Sequence, residues 1–286
     1  MQYQQHSRRY VLVTPSTVGE NPDVLLYFHG SLQSGSVARR FTAGSFDELA
    51  ERTGTLVVYP DGIDRHFNDA RATLPVKARE LGIDDVGFSR AIVEELRAEF
   101  GIGRVFACGY SNGGQMTLRL LFDAPGFLSA AAIFASTLGE GENHAPDNPD
   151  SAFHPTPVML MHGTKDPLVP YEGGVAGFDA QRTRGRVEPA VQTAQRLSAL
   201  NRGEHDPHAA AAASAAPEIT RPYADTELRR WNAETAAPPV ELWTVENMGH
   251  VVPCGKEMDP RLGPTTESFI AAEIVQEFFG LKDRQA

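Results

Sequence analysis

The residues Gly109-Tyr110-Ser111-Asn112-Gly113 place one serine between glycines, with the apolar run Arg104–Cys108 ahead of it and the helix-patterned Gly114–Phe122 behind it. A serine hydroxyl is a weak nucleophile until a base removes its proton, and the base in turn needs a carboxylate to hold its tautomer. A strand-to-helix turn this tight strains the backbone of its serine and presses strand and helix together, which is a steric reason for glycine on either side. In such an arrangement the acid and then the histidine follow in chain order, each just past a later strand. Asp166 lies three residues beyond His162-Gly163, in a turn marked by Pro167, and His250 lies in a Gly/Pro loop after the run Val240–Val245. Ser111, Asp166 and His250 are therefore the expected catalytic residues.

Each of these has a plainer alternative. Ser111 could sit in an ordinary glycine-rich turn, and Asp166 taken alone could be a turn-capping aspartate. Other histidines compete with His250. His29 and His162 each precede a glycine at a strand end, where an imidazole braces neighbouring loops. His205 and His208 lie in an Ala-rich stretch with no cysteine nearby, which reads as a solvated loop rather than a metal site. His6, His66, His144 and His154 have no chemical context. An acyl-transfer intermediate also needs an anion trap. The Asn112 N–H, at the positive end of its helix, is one candidate donor, and the Ser31 N–H, after His29-Gly30, is the other. Each such donor contributes about 3 to 4 kcal/mol in the transition state. Gly30 is expected to let the Ser31 amide swing inward. No metal or organic cofactor is required, and because the base must be neutral, activity is expected to fall on acidification through the histidine range.

The elements that must position these groups follow from periodicity. Seven short β-type runs, Arg9–Pro15, Val24–Gly30, Thr55–Gly62, Arg104–Ser111, Ala130–Ser136, Pro157–Gly163 and Val240–Val245, alternate with helix-patterned segments. That alternation predicts a mainly parallel sheet of about seven or eight strands with helices on both faces, and ligands in such sheets gather at the carboxyl ends of the strands. Asp84 or Asp85 suits the N-cap of the helix that runs on to Gly101, and a last helix is expected within Thr266–Gly280. The loop His66–Asp84 and the connection from about residue 173 to 239 interrupt the pattern. The latter contains a helix over Pro189–Asn201 and a low-complexity, Ala-rich stretch over 203–217, expected as a lid or mobile insertion on a single domain spanning 1–286.

Composition narrows the partners. The chain has 286 residues, 41% hydrophobic, with 26 Lys and Arg against 37 Asp and Glu, a formal charge of −11. One large α/β core fits this length, and no basic patch is present to release counterions from nucleic acid. No run reaches the ~18 apolar residues of a membrane span, and the first residues lack a signal-peptide core. A cytoplasmic protein acting on a small or oligomeric substrate is expected, with its two cysteines, Cys108 and Cys254, reduced.

Seven motifs, FHGSLQS, VVYPDG, FNDAR, IDDVGF, GYSNGGQMT, MHGTKDPLVPY and GHVVP, stand in the order seen in polyhydroxybutyrate depolymerases and feruloyl esterases. Over about Tyr10–Pro253 the chain resembles that family of α/β-hydrolases, which is also similar to carbohydrate acetyl esterases. The resemblance implies an α/β-hydrolase fold and serine ester hydrolysis, with Ser111, Asp166 and His250 catalytic and Ser31 and Asn112 at the oxyanion site. It implies that Phe67, Asn68 and Asp69 stand beside the substrate pocket, together with Tyr110 and Val252. Three positions depart from the family: Ser31 replaces its cysteine, and Phe67 and Val252 replace tryptophans, leaving less flat surface for stacking. An ester with a short acyl chain is the expected substrate. A non-catalytic binding protein on the same scaffold and an acyltransferase using the same triad are the competing readings.

Overall fold

The computed structural model describes residues 1–73, 75–177, 183–205 and 216–284. All seven expected strands form: β3 (Tyr10–Val13), β4 (Val24–Phe28), β5 (Leu56–Pro60), β6 (Val105–Tyr110), β7 (Ala130–Phe134), β8 (Val158–Gly163) and β13 (Val240–Val245). The first two short strands, β1 (Gln2–Tyr3) and β2 (His6–Ser7), make a separate hairpin, and β9 (Gly174–Gly177) pairs with β10 (Thr183–Val187) in another. The main sheet has nine strands rather than seven or eight, in the order β11-β12-β13-β8-β7-β6-β4-β5-β3. The additions are β11 (Glu218–Tyr223) and β12 (Thr226–Trp231), an antiparallel pair that extends the sheet beyond β13. Much of the 173–239 connection thus builds sheet edge, while residues 206–215 of the Ala-rich stretch lie outside the described residues.

From β13 through β5 every pairing is parallel, so the carboxyl ends of six adjacent strands share one edge. Side-chain alternation on these buried strands feeds two cores. On β4, Val24, Leu26 and Phe28 face one way, against α4 (Asp85–Phe100), α5 (Asn112–Asp123) and α6 (Ala190–Asn201). Leu25 and Tyr27 face the other, against α1 (Gly35–Phe41), α2 (Ser45–Thr53) and α7 (Ala271–Phe278). Each fully buried aliphatic side chain contributes about 1.5 to 3 kcal/mol, so the two layers clamp the strands into a rigid slab.

Asp84 is the N-cap of α4, accepting from the Gly87 amide at 2.7 Å. Asp85 instead turns inward, paired with buried Arg8 at 2.5 Å and accepting from the Asn68 amide at 2.7 Å. The loop before α4 holds a short helix, α3 (Lys77–Glu80). Gly280, at φ +61°, follows the last helix.

Candidate active site

The serine elbow is built by close backbone approach. Ser111 has φ 55° and ψ −117°, a conformation that costs a side-chain-bearing residue of order 1–3 kcal/mol. Three hydrogen bonds impose it: the Ser111 N–H donates to the Phe134 carbonyl at 3.0 Å, and its carbonyl accepts from the Gln115 amide at 2.9 Å and the Ser136 hydroxyl at 2.6 Å. A Cβ on Gly109 would collide with the Gly113 carbonyl, and one on Gly113 with the Phe28 carbonyl. Both partners are backbone, so neither clash can be relieved by a rotamer change.

Three strand ends bring the expected triad together. The Ser111 hydroxyl lies 2.9 Å from His250 Nε2, and His250 Nδ1 lies 2.8 Å from Asp166 Oδ2. The ionised carboxylate only accepts, so Nδ1 carries the proton and Nε2 is left to accept from the serine. The other oxygen, Asp166 Oδ1, accepts the Leu168 and Val169 amides, both at 2.8 Å, which fixes the carboxylate plane. Burial alone would push the Asp166 carboxyl up, but the adjacent His250, its hydrogen bond and the Val169 amide outweigh this and hold it below the ordinary aspartate range. Tyr110 secures the imidazole from the other side: its hydroxyl donates to the His250 carbonyl at 2.8 Å, and its ring stacks on Phe41 at 4.8 Å.

Ser31 occupies a turn closed by the Gln33 N–H to the Gly30 carbonyl at 3.2 Å, beside the elbow. Among the described residues neither the Ser31 nor the Asn112 N–H donates to a protein acceptor. Gly30 serves a purpose other than the expected backbone swing. It lies outside the left-handed region, and a Cβ there would come within 2.7 Å of the Tyr110 ring, which its hydroxyl and Phe41 hold in place.

The side chain of Asn112 has a role that sequence reasoning missed. It accepts from the Phe67 amide at 2.8 Å, donates to the Phe67 carbonyl at 3.1 Å and donates to Asp69 at 2.7 Å. Asp69 also takes the Arg71 guanidinium at 2.6 Å. One amide group therefore ties the elbow to the 67–71 segment across 43 to 45 residues of chain. Nothing local to either stretch signals such a pairing.

The residues expected beside a substrate pocket take up mainly structural contacts. Phe67 and Val252 are 0% exposed, Phe67 packing on Phe28 and the His29 ring, so neither offers a face to an acyl chain. Asn68 donates to the Ile83 carbonyl, Asp69 is committed to Arg71 and Asn112, and Tyr110 is buried. His205 is exposed, and His208 lies outside the described residues.

His29 and His162 both act as braces. His162 Nε2 donates to the Val169 carbonyl at 2.8 Å, steadying the acid turn. His29 Nε2 accepts from the Gly62 amide at 3.0 Å, so its Nδ1 carries the proton and donates to the Gly30 carbonyl at 2.7 Å. Burial lowers His29 to about 4, and burial with nearby Arg196 does the same to His144. A folded value below the unfolded one means that the unfolded chain binds the extra proton first. The stability held above the unfolded histidine value is thus lost as pH falls through the window from about 6.5 towards 4, by about 3 kcal/mol for His29. Urea unfolding midpoints measured from pH 7 to 4.5 should fall steeply in the wild type. In His29→Gln they should fall less, and an unchanged slope would remove His29 as a cause.

Residues 77–184 match the family described as Phospholipase/Carboxylesterase. A protein named "Putative esterase NocK", from Nocardia uniformis subsp. tsuyamanensis, is 28% identical over 82% of this chain and 67% of its own length. Feruloyl esterase B of Piromyces equi is 25% identical over 59% of this chain, which spans only 31% of that larger protein. The acetyl xylan esterase of Aspergillus awamori superposes with a TM-score of 0.62 over 95% of this chain and 93% of its own, at 16% identity. At that identity the likeness speaks for the fold, and the match along both full chains makes it the α/β-hydrolase fold.

Proposed function

We propose that this α/β-hydrolase, similar in sequence to feruloyl esterases and in fold to an acetyl xylan esterase, is a serine carboxylic-ester hydrolase whose nucleophile is Ser111, base His250 and orienting acid Asp166. The observation that carries the reading is the unbroken relay of 2.9 and 2.8 Å from a strained serine through one imidazole to a carboxylate. As Ser111 Oγ bonds to the ester carbonyl carbon, its proton passes to His250 Nε2, and Asp166 stabilises the imidazolium. The carbonyl oxygen becomes an anion held by the Ser31 and Asn112 amides. Collapse breaks the bond to the alcohol oxygen, which leaves with the proton from His250. Water then attacks the acyl-enzyme with His250 again as base, releasing the acid and restoring the serine.

Short acyl groups are the proposed substrates. Ser111 is 5% exposed and His250 2%, so the reacting carbonyl must approach along a narrow path. The sugar and feruloyl groups in the relatives' names belong to those proteins, and only the ester bond is carried over here. Cytoplasmic residence is proposed on the two cysteines, both free. Among the described residues no helix is long and apolar enough to cross a membrane. Purified protein is expected to release 4-nitrophenol from the acetate and butyrate esters faster than from a long-chain ester. Turnover of none of them would overturn the function, and faster long-chain turnover would overturn the substrate preference.

A further inference from the structure

The β9–β10 hairpin is tied to several loops around the elbow. The Gly177 N–H donates at 2.8 Å to the carbonyl of Leu168, in the turn that carries Asp166. Asn143 Nδ2 donates to the carbonyls of Arg184 and Arg186 at 3.2 and 2.8 Å, and the Glu140 N–H donates to the Arg186 carbonyl at 3.0 Å. Gly185, at φ +79°, has no room for a Cβ against Thr73 and Asn143. Arg184 is thereby held between the acid turn and the 67–73 segment, half-buried. Its guanidinium is within electrostatic range of Arg71, Asp69 and Tyr110, and its charge is felt by His66. Tyr110 is the residue that precedes Ser111 and carries the His250 carbonyl.

Among the described residues, three charged side chains near it have partners of their own. Arg71 is committed to Asp69, and Arg186 to Glu140 at 2.6 Å. Asp166 faces His250 and His162. Residues 178–182 carry one Asp and one Arg by sequence, no net formal charge. Arg184 therefore adds a guanidinium next to one already neutralised. Burial first, and then repulsion from Arg71, lowers it to about 10, so it remains charged at neutral pH and an arriving anion relieves its cost. A chain of net charge −11 would otherwise repel such a substrate.

We infer that Arg184 selects esters bearing a carboxylate near the scissile bond, such as the half-ester of a short dicarboxylic acid, by pairing with that carboxylate at the rim of the Ser111 site. This rests on the ester-hydrolase reading. Arg184 is here a specificity residue, acting on the substrate's second charge and leaving the reacting carbonyl to the triad. A guanidinium can grip a carboxylate through two parallel N–H donors, so lysine should replace it only in part.

The test compares 4-nitrophenyl hemisuccinate with 4-nitrophenyl butyrate, acyl chains of similar length ending in a carboxylate or a methyl group. In Arg184→Gln the ratio of their kcat/KM values, anionic over neutral, is expected to fall about tenfold, mainly through KM, with Arg184→Lys between that and the wild type. Free succinate should inhibit butyrate hydrolysis by the wild type and do so more weakly in Arg184→Gln. Butyrate turnover and the melting temperature report whether each variant is folded. A ratio and a succinate inhibition that do not change with the residue at 184 overturn the proposal while leaving the esterase intact. Wild-type protein that hydrolyses neither ester overturns the ester reading, and this inference with it.

Discussion

Ser111→Ala protein is expected to fold, to melt at the wild-type temperature, and to hydrolyse esters about 10⁴ to 10⁶ times more slowly in kcat. The fold should survive because the strained backbone is held by groups the substitution leaves alone: the Phe134 carbonyl, the Gln115 amide and the Ser136 hydroxyl. Alanine keeps the Cβ, so the packing of the elbow glycines is untouched. What disappears is the oxygen 2.9 Å from His250, and with it the covalent route. The anion trap and substrate binding remain and should give a small residual rate over water. The pairing of unchanged melting with collapsed turnover is the informative result. Wild-type turnover in a folded Ser111→Ala protein would end the mechanism.

Asp166→Asn is expected to lower kcat by about 10⁴ with a much smaller change in KM. The local hydrogen bonds dictate the reason. The oxygen facing the Leu168 and Val169 amides must remain an acceptor, so an asparagine would keep its carbonyl there and turn its NH2 towards His250 Nδ1. The imidazole would then be forced to accept at Nδ1 and carry its proton at Nε2, where it cannot take one from serine. The variant also loses the charge that stabilises the imidazolium. Glu140 and Glu246 stand at the surface in pairs with Arg186 and Arg221, so neither is placed to take its part. Steady-state kinetics beside a circular dichroism spectrum would settle it: a folded variant with wild-type kcat would remove Asp166 from the proposed relay.

Much of the scaffold was legible because buried parallel strands announce themselves. Runs such as Val24–Phe28 and Val158–Gly163 are apolar on both faces and bounded by Gly or Pro, and all seven expected runs form strands. The elements that escaped lack that signal. Strand β11 is exposed along most of its length and reads Glu-Ile-Thr-Arg-Pro-Tyr, with no alternation to mark it. Helix α1 has seven residues and opens on glycine, so its period barely completes before it ends. Ser111, Asp166 and His250 were legible because each sits at a fixed offset from a recognisable strand end. The surroundings were harder to foresee. Phe67 and Val252 were expected at a pocket wall and are enclosed, and the reach of Asn112 to Phe67 and Asp69 depends on the chain returning to that loop after passing through α3, α4 and β6. Residue type tells which groups can do chemistry, but only packing decides which of them face open space.

The grip of Asn112 on the 67–71 segment has a consequence for how this protein can change over generations. A residue whose main chain is proposed to hold the anion and whose side chain grips a remote loop would not satisfy a new demand from one without disturbing the other. Drift at Asp69 or Arg71, more than forty residues from Asn112 in the chain, would therefore be transmitted as altered turnover, and compensating replacements should arise at 69, 71 and 112 as a set.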